Sequence, residues 1–451
     1  MRRRDMLQMA AGGSLAGLVS AREMKAQEQA ARATRGMPTP VIKDISVINC
    51  QPGGVRLIVV KVTTDQAGLY GYGCATFTQR ADLVGPAVEK YLKPLLVGRP
   101  ADRIDDTWQM MYNSSYWRNG PVLNNAMSGV DQALWDIKGR QAGMPVYQLL
   151  GGKLREAAAS YTSVGGAEVS QIVDSARKAM AQGYRHIRLQ MSVPGMSAYG
   201  AGGGGGANAP KVQALHKDPV YEPGAYIRRT IPMLAEVRKQ LGDDVELLHD
   251  IHERVSPREG IQFAKEVEPI RLFFLEDPFS PEEDIGYFRQ LRAQCNTPIA
   301  MGELFNSPKE WTPLIVEKLM DYIRIHISQA GGLTPCRKIA ILGELHGVKT
   351  AWHGPGDVSP VGHMCNLHLD LASYNFGVQE GGRIRGVEAE IFKGSETFKD
   401  GYLYANDSPG WGIEVDEKLA AKYPFRSDGA RGTLNGGWGV IRRLDGTVIK
   451  Q

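Results

Sequence analysis

The chain predicts an α/β fold in which a small α+β domain precedes a closed barrel of parallel strands. Three observations carry that expectation. After Ser160, seven short apolar runs recur (HIRLQ, VELLHD, LFFLE, PIAMGE, YIRIHI, VKTAWH and FGVQE), each followed by a helical stretch. So many strand–helix units fit a closed barrel of parallel strands better than an open sheet. Ahead of them, from about Val41 to Ala75, strands follow one another directly and helices come afterwards, with no alternation. Finally, 451 residues hold one barrel, which takes roughly 200–250, and leave room for a second domain.

Composition narrows the function classes. Hydrophobic residues at 43% and charged residues at 23% are ordinary for a globular chain and exclude extensive disorder. No apolar run reaches the roughly 18 residues of a membrane span. The formal charge is +4, with no basic block except at the extreme N-terminus, so no nucleic-acid partner is expected. Five scattered cysteines without a C-x-x-C pair read as buried thiols, not as a disulfide framework.

Taken in order, the chain opens MRRRDMLQMAAGGSLAGLVSAREMKA. A charged start, a weakly apolar Met9–Val19 stretch and small residues before Ala21 or Ala26 describe an export signal over residues 1–26. Arg3-Arg4-Asp5-Met6-Leu7-Gln8 resembles the twin-arginine address. The expected location is periplasmic or exported, or cytoplasmic if the signal is unused. Removing this segment takes away five basic and two acidic residues and lowers the charge from +4 to +1.

Residues 38–152 form the expected α+β domain. Strands VIKDISVINC, VRLIVVKVTTD and LYGYGCA, with a turn at Gln66–Gly68, lead to helices over Ala81–Leu96 and Ala101–Tyr116. Asn124–Gln141 follows as an amphipathic helix with Met127, Val130, Leu134 and Ile137 on one face, closed by Gly151-Gly152. Residues 153–390 form the barrel, and 391–451 are expected to return to the first domain. The barrel is interrupted by Gly195–Tyr221, whose Gly202–Gly206 run holds neither helix nor strand and reads as a loop or lid.

Function in such barrels collects at the C-terminal ends of the strands. The last polar residues of the runs are Arg188 and Gln190, Asp250 with His252, Glu276, Glu303, Arg324, His353 and Glu380. Asp250, Glu276 and Glu303 stand 26 and 27 residues apart, about one strand–helix unit each, and so meet at one barrel mouth. Three clustered carboxylates call for a hard divalent cation, Mg²⁺ above all, with open positions for substrate oxygens. Glu246 and Asp277 are weaker candidates: in an alternating strand Glu246 points opposite to residues at odd offsets, and Asp277 is one step past Glu276. His252 lies two residues beyond Asp250 on the same side and suits a general acid. Arg188-Leu189-Gln190 offers no easy base, since arginine stays protonated.

Longer motifs carry a family resemblance. SGVDQALWD (128–136) followed by GMPVYQLLGG (143–152), together with Glu276-Asp277-Pro278 and the Asp/Glu/Glu set, resembles the enolase superfamily. Within it, VPGMSAYG (193–200), HDIHERVSP (249–257), HGPGDVSP (353–360), NFGVQE (375–380) and GIEVDEKLAAKYPF (412–425) are similar to the D-mannonate dehydratase group. The resemblance runs from about Val41 to Leu444. It implies a modified TIM barrel, (β/α)₇β, beneath an N-terminal α+β capping domain, with one Mg²⁺ per subunit. It also implies abstraction of the proton next to the substrate carboxylate, giving an enediolate that the divalent ion stabilises.

The resemblance further assigns Tyr199 as the base. Arg188 would be its activator, since a guanidinium favours phenolate and lowers a pKa that starts near about 10. Arg324, His353, Asp357, Glu380 and Glu303 match substrate-contacting positions. Two positions depart from the group: Thr78 stands where it usually has asparagine, and Ser163 where it usually has histidine. Both would face the polyol end of the substrate, where such changes shift specificity. The expected activity is a sugar-acid dehydratase, acting on a D-mannonate- or D-gluconate-type aldonate and giving a 2-keto-3-deoxy acid. Alternatives are an epimerase or cycloisomerase of the same superfamily and an exported acid-sugar binding or sensing protein. A small-molecule sugar acid is the expected partner, and a homo-oligomer the expected assembly.

Overall fold

A computed structural model of the chain describes residues 37–192, 220–381, 384–426 and 440–449. Tyr199, the Gly202–Gly206 run and the 1–26 segment lie outside the described residues. Among the described residues no helix is long and apolar enough to cross a membrane.

The capping domain starts with an antiparallel sheet of β1 (Ile42–Cys50), β2 (Leu57–Thr64) and β3 (Tyr70–Cys74). Helix α1 (Ala81–Ala87) runs on through Val88–Leu92 and Lys93–Leu96, and α2 (Ile104–Asn113) follows. Helix α3 (Pro121–Ala142) buries Met127, Val130, Leu134 and Ile137, the face expected from their spacing.

The opposite edge of α3 is polar and equally buried, and it explains part of the SGVDQALWD motif. Ser128, Gln132 and Asp136 repeat every four residues along the open edge of β3. Ser128 donates to the Cys74 carbonyl at 2.9 Å, Gln132 accepts from Cys74 N at 3.1 Å, and Asp136 accepts from Tyr72 N at 2.9 Å. The helix side chains thus satisfy backbone groups that a fourth strand would otherwise pair. Close approach requires Gly71 and Gly73, where an added Cβ would stand 2.2 Å from the Ala133 carbonyl oxygen and 2.0 Å from that of Gly129. Gly73→Ala is therefore expected to destabilise the protein by about 1–3 kcal/mol or more. Urea denaturation checks this, and an unchanged midpoint would contradict the packing argument.

The barrel strands are β4 (Ala158–Gly166), β5 (His186–Met191), β6 (Glu246–Asp250), β7 (Phe274–Glu276), β8 (Ile299–Met301), β9 (Tyr322–Ile323), β10 (Lys349–Thr350) and β11 (Gln379–Glu380). Strands β4 to β10 pair in sequence order, β11 pairs parallel with β4, and a Thr350–Phe376 bridge closes the ring. Between strands run α4 (Val169–Ala181), α5 (Pro223–Leu241), α6 (Pro257–Glu266), α7 (Ile285–Gln294), α8 (Pro308–Val316), α9 (Leu333–His346) and α10 (Pro360–Ala372). Among the described residues the only helices after β11 are the short Val387–Ile391 and Glu417–Ala420, so the architecture is (β/α)₇β. Ser256 and Ser307, each in a capping box with a glutamate three residues on, start α6 and α8.

The inside of the barrel is layered. Tyr161, Leu248, Phe274, Ala300, Tyr322, Ala351 and Val378 form a separate apolar floor. A strand turns the same face inward every second residue. Two residues further along these strands stand Ser163, Asp250, Glu276, Gly302, Arg324, His353 and Glu380. The floor therefore fixes the height of the polar layer above it.

Cap and barrel meet over this mouth. Asp131 accepts from Thr334 N at 2.9 Å at the start of α9, Asn124 donates to the Asn306 and Gln329 carbonyls, and Ser328 donates to the Cys74 carbonyl at 3.2 Å. The C-terminal segment also contacts the cap: buried Trp411 donates its indole N–H to the Tyr72 and Gln132 carbonyls. All five cysteines are buried free thiols.

Candidate active site at the barrel mouth

Most of the residues singled out from the sequence lie in this mouth. Arg188 donates to both Glu276 oxygens at 2.8 and 3.0 Å and to Ser163 Oγ at 2.9 Å, and pairs with Glu380 at 2.7 Å. Arg324 faces it, with Glu276 at 2.9 Å, Glu303 at 3.2 Å and Glu380 in direct contact. Both guanidiniums reach the Tyr161 hydroxyl, which rises from the floor. Gln190 donates to the Asp250 carbonyl at 3.0 Å.

Asp250 and Glu276 stand together as the spacing required, with Arg188 3.8 Å from Asp250. The third carboxylate of the tight cluster is Asp277, whose oxygen lies within 4.8 Å of ligand atoms of the other two. Strand alternation assigned Asp277 to the other side. Its φ of 41° breaks the extended geometry at that residue and ends the alternation. Asp277 Oδ2 is buried, with no hydrogen-bond partner among the described residues. Glu303 lies instead against His353 at 3.0 Å, His252 at 3.4 Å and Arg324. It falls one residue beyond the alternating position because Gly302 adopts φ 133°. Glu246 is exposed at the opposite, N-terminal end of β6.

His252 also has positive φ, 58°, and its backbone N–H donates to Asp250 Oδ1 at 2.7 Å. His353 has acidic neighbours, none of them on β9: Nε2 is 3.1 Å from Asp357 and Nδ1 faces Glu303. Its ring stacks on that of His326, 5.0 Å between centroids. Thr78 sits in the turn Thr78–Arg80 of the cap, and among the described residues it makes no hydrogen bond to the mouth cluster. Tyr161 and His326 escaped the sequence reading. Alternation could have found Tyr161, because it shares a strand face with Ser163 two residues on.

The charge state follows from these contacts. Burial pushes Glu276 upward in spite of Arg188 and Arg324. Burial also pushes Asp277 well above the carboxylate range, and Glu303, Glu276, Glu253 and Asp250 add to it. Burial would raise Glu303, yet His353 and His252 hold it well below its usual value. Burial works against a charge on His353, but Asp357 and Glu303 outweigh it and keep the imidazole protonated. Burial would likewise raise Asp357, but His353 brings it down to about 2. Among the described residues, the six carboxyls Asp250, Glu276, Asp277, Glu303, Asp357 and Glu380 cluster around Arg188, Arg324 and the imidazoles of His252 and His353. The upward push on Glu276 and Asp277 means that these basic groups do not hold every carboxyl ionised.

A cavity of about 420 Å³ opens beside the cluster, lined by Tyr161, Ser163, Arg188, Gly356, Glu380 and Arg385 among others. The size suits a small polar acid.

Comparison with known proteins bears on the whole chain. The N-terminal domain of the mandelate racemase and muconate lactonizing enzyme family matches residues 39–151, and the enolase C-terminal domain-like family matches 171–419. A D-galactonate dehydratase family member from Pantoea ananatis is 49% identical over 421 residues, 90% of this chain and 98% of its own. Another from Enterococcus gallinarum is 47% identical, covering 88% of this chain and 97% of its own. The crystal structure of an enolase from Pantoea ananatis with bound D-gluconate and Mg superposes with a TM-score of 0.86. It is 48% identical and covers 91% of this chain and 100% of that one. The chain belongs to the enolase superfamily.

Proposed function

We propose that this protein is a Mg²⁺-dependent sugar-acid dehydratase that converts an aldonate of the D-mannonate or D-gluconate type into a 2-keto-3-deoxy acid. The observation that carries the reading is the buried carboxyl cluster Asp250–Glu276–Asp277 with Glu303 beside it, whose mutual repulsion helps push Glu276 and Asp277 upward and would be relieved by a bound cation. The donor set fits a hard cation: every ligand atom is a carboxylate oxygen, and one, Asp277 Oδ2, is buried without a partner among the described residues. Asp250 and Glu276 would hold the ion, with Glu303 or Asp277 as the third ligand. When bound, it supplies the positive charge that an enediolate requires.

The chain's own groups do the rest. Tyr199, activated by Arg188, takes the proton from C2. His252 gives a proton to the C3 hydroxyl as the C–O bond breaks, so water leaves and the enol product tautomerises to the 2-keto acid. Arg324, protonated His353, Asp357 and Glu380 offer donors and acceptors to the remaining oxygens, and Ser163 and Thr78 border the polyol end. The relatives' dehydratase names and the neighbour's bound D-gluconate and Mg support the same reading.

The test is a panel of D-mannonate, D-gluconate and D-galactonate with Mg²⁺, assayed for 2-keto acid. Turnover is expected with at least one acid and is abolished by EDTA. Tyr199→Phe should lower kcat by about 10²–10⁴-fold while leaving D-gluconate binding in place. Deuterium exchange at C2 without water loss would point to epimerisation, and tight binding with no turnover to a sensor. Either result would sink the dehydratase reading.

A further inference from the structure

The mouth loop His353–Asp357 is held from behind by α10. Asn366 donates to the His353 carbonyl at 3.1 Å, and His363 Nε2 lies 3.3 Å from the Pro355 carbonyl oxygen. The other ring nitrogen of His363, Nδ1, is 3.3 Å from Glu396 Oε1. The two side chains are only 6% and 3% exposed. Among the described residues neither Glu396 oxygen has a regular hydrogen bond, and the imidazole is the basic group that it faces.

Both neighbours of His363 are acceptors. A carbonyl and a carboxylate can each take a proton but offer none, so the ring meets both only as imidazolium. Burial opposes that charge and Glu396 restores it, with Glu388 of the Val387–Ile391 helix as the further acidic neighbour. Glu396 itself stands just before the strand Thr397–Lys399 in the C-terminal segment. A buried ion pair therefore links that segment to the backbone of the loop. The loop in turn presents Asp357 to His353 and the Gly354 N–H to Glu380, 3.3 Å away.

We propose that His363 and Glu396 form a positioning dyad that seats the His353–Asp357 loop and so sets the affinity for the sugar acid. This rests on the reading of that loop as substrate-facing. The dyad lies outside the metal cluster and touches no reacting atom, so its loss should raise KM and spare the chemical step.

The experiment compares His363→Gln, Glu396→Gln and the double variant with the wild type, scoring kcat, KM, calorimetric D-gluconate affinity and denaturation midpoint. Each single change is expected to raise KM and the D-gluconate Kd by about tenfold, as loss of a charged hydrogen bond does, with kcat within about threefold. The double variant should be no worse than the worse single one, because the two act as one unit. Glu396→Asp, which keeps the charge but shortens its reach, should fall between and provides a folded comparison if the others unfold. Unchanged KM and Kd, a fall in kcat alone, or multiplying effects would overturn the dyad. If the wild type binds D-gluconate without turnover, the dehydratase reading fails while the dyad is still scored on Kd. A wild type that neither binds nor turns over any acid removes both.

Discussion

Glu276→Gln is expected to lower kcat/KM by about 10³-fold and to weaken Mg²⁺ binding, while the fold survives. Glutamine is isosteric with glutamate, so no cavity opens. It keeps an acceptor oxygen for the Arg188 and Arg324 N–H groups that lie 2.8–3.0 Å from the carboxylate. Arg188 retains Glu380 and Ser163, and Arg324 retains Glu303 and Glu380, so neither guanidinium is stranded. What disappears is one anionic oxygen from the Asp250–Glu276–Asp277 cluster, and a hard cation binds chiefly to charge. Calorimetry with Mg²⁺ alongside steady-state rates measures both halves. A variant keeping a tenth or more of the wild-type kcat/KM would remove Glu276 from the ligand set.

Arg324→Leu should be the costliest single change to stability, about 3–5 kcal/mol. Arg324 is fully buried and is the common partner of Glu276, Glu303 and Glu380. Leucine fills much of the volume but leaves three carboxylates facing one another around the Tyr161 hydroxyl. The loss is a large fraction of a typical folding free energy of about 5–15 kcal/mol. Because the penalty is unbalanced negative charge, Mg²⁺ should return part of it, in contrast to a plain packing defect. Urea midpoints with and without Mg²⁺ make the comparison. A cost below about 1 kcal/mol would mean that the carboxylates take up protons and need no guanidinium.

Much of this was legible in the sequence because strands obey a period of two. Asp250, Glu276, Arg324, His353 and Glu380 could be placed on one rim from the end of each apolar run, and their positions above the floor follow that rule. The rule fails where the backbone leaves the extended region. Asp277 at φ 41° joins a cluster from which alternation excluded it, and Gly302 at φ 133° carries Glu303 toward two histidines and an arginine. No residue type announces such a twist at an aspartate. The first barrel strand, AASYTSVGG, was absent from the seven runs because it is built from small and polar residues. Its neighbours β5 and β11 supply the pairing that makes it a strand. The His363–Glu396 pair spans 33 positions and belongs to two elements with no shared pattern, so only the folded chain brings it into view.

The C-terminal stitching of the cap bears on how the molecule comes to be folded. Trp411 closes against Tyr72 and Gln132, Lys61 meets Glu417, and Arg56 donates to the Arg426 carbonyl, contacts separated by 339, 356 and 370 residues for Tyr72, Lys61 and Arg56. The domain synthesised first thus receives its final pieces last. While the ribosome is still making the barrel, the cap lacks these partners and exposes apolar surface around β3 and α3. Contacts of such long range form slowly. A C-terminal truncation that reaches Arg426 would remove a contact to the opposite end of the chain.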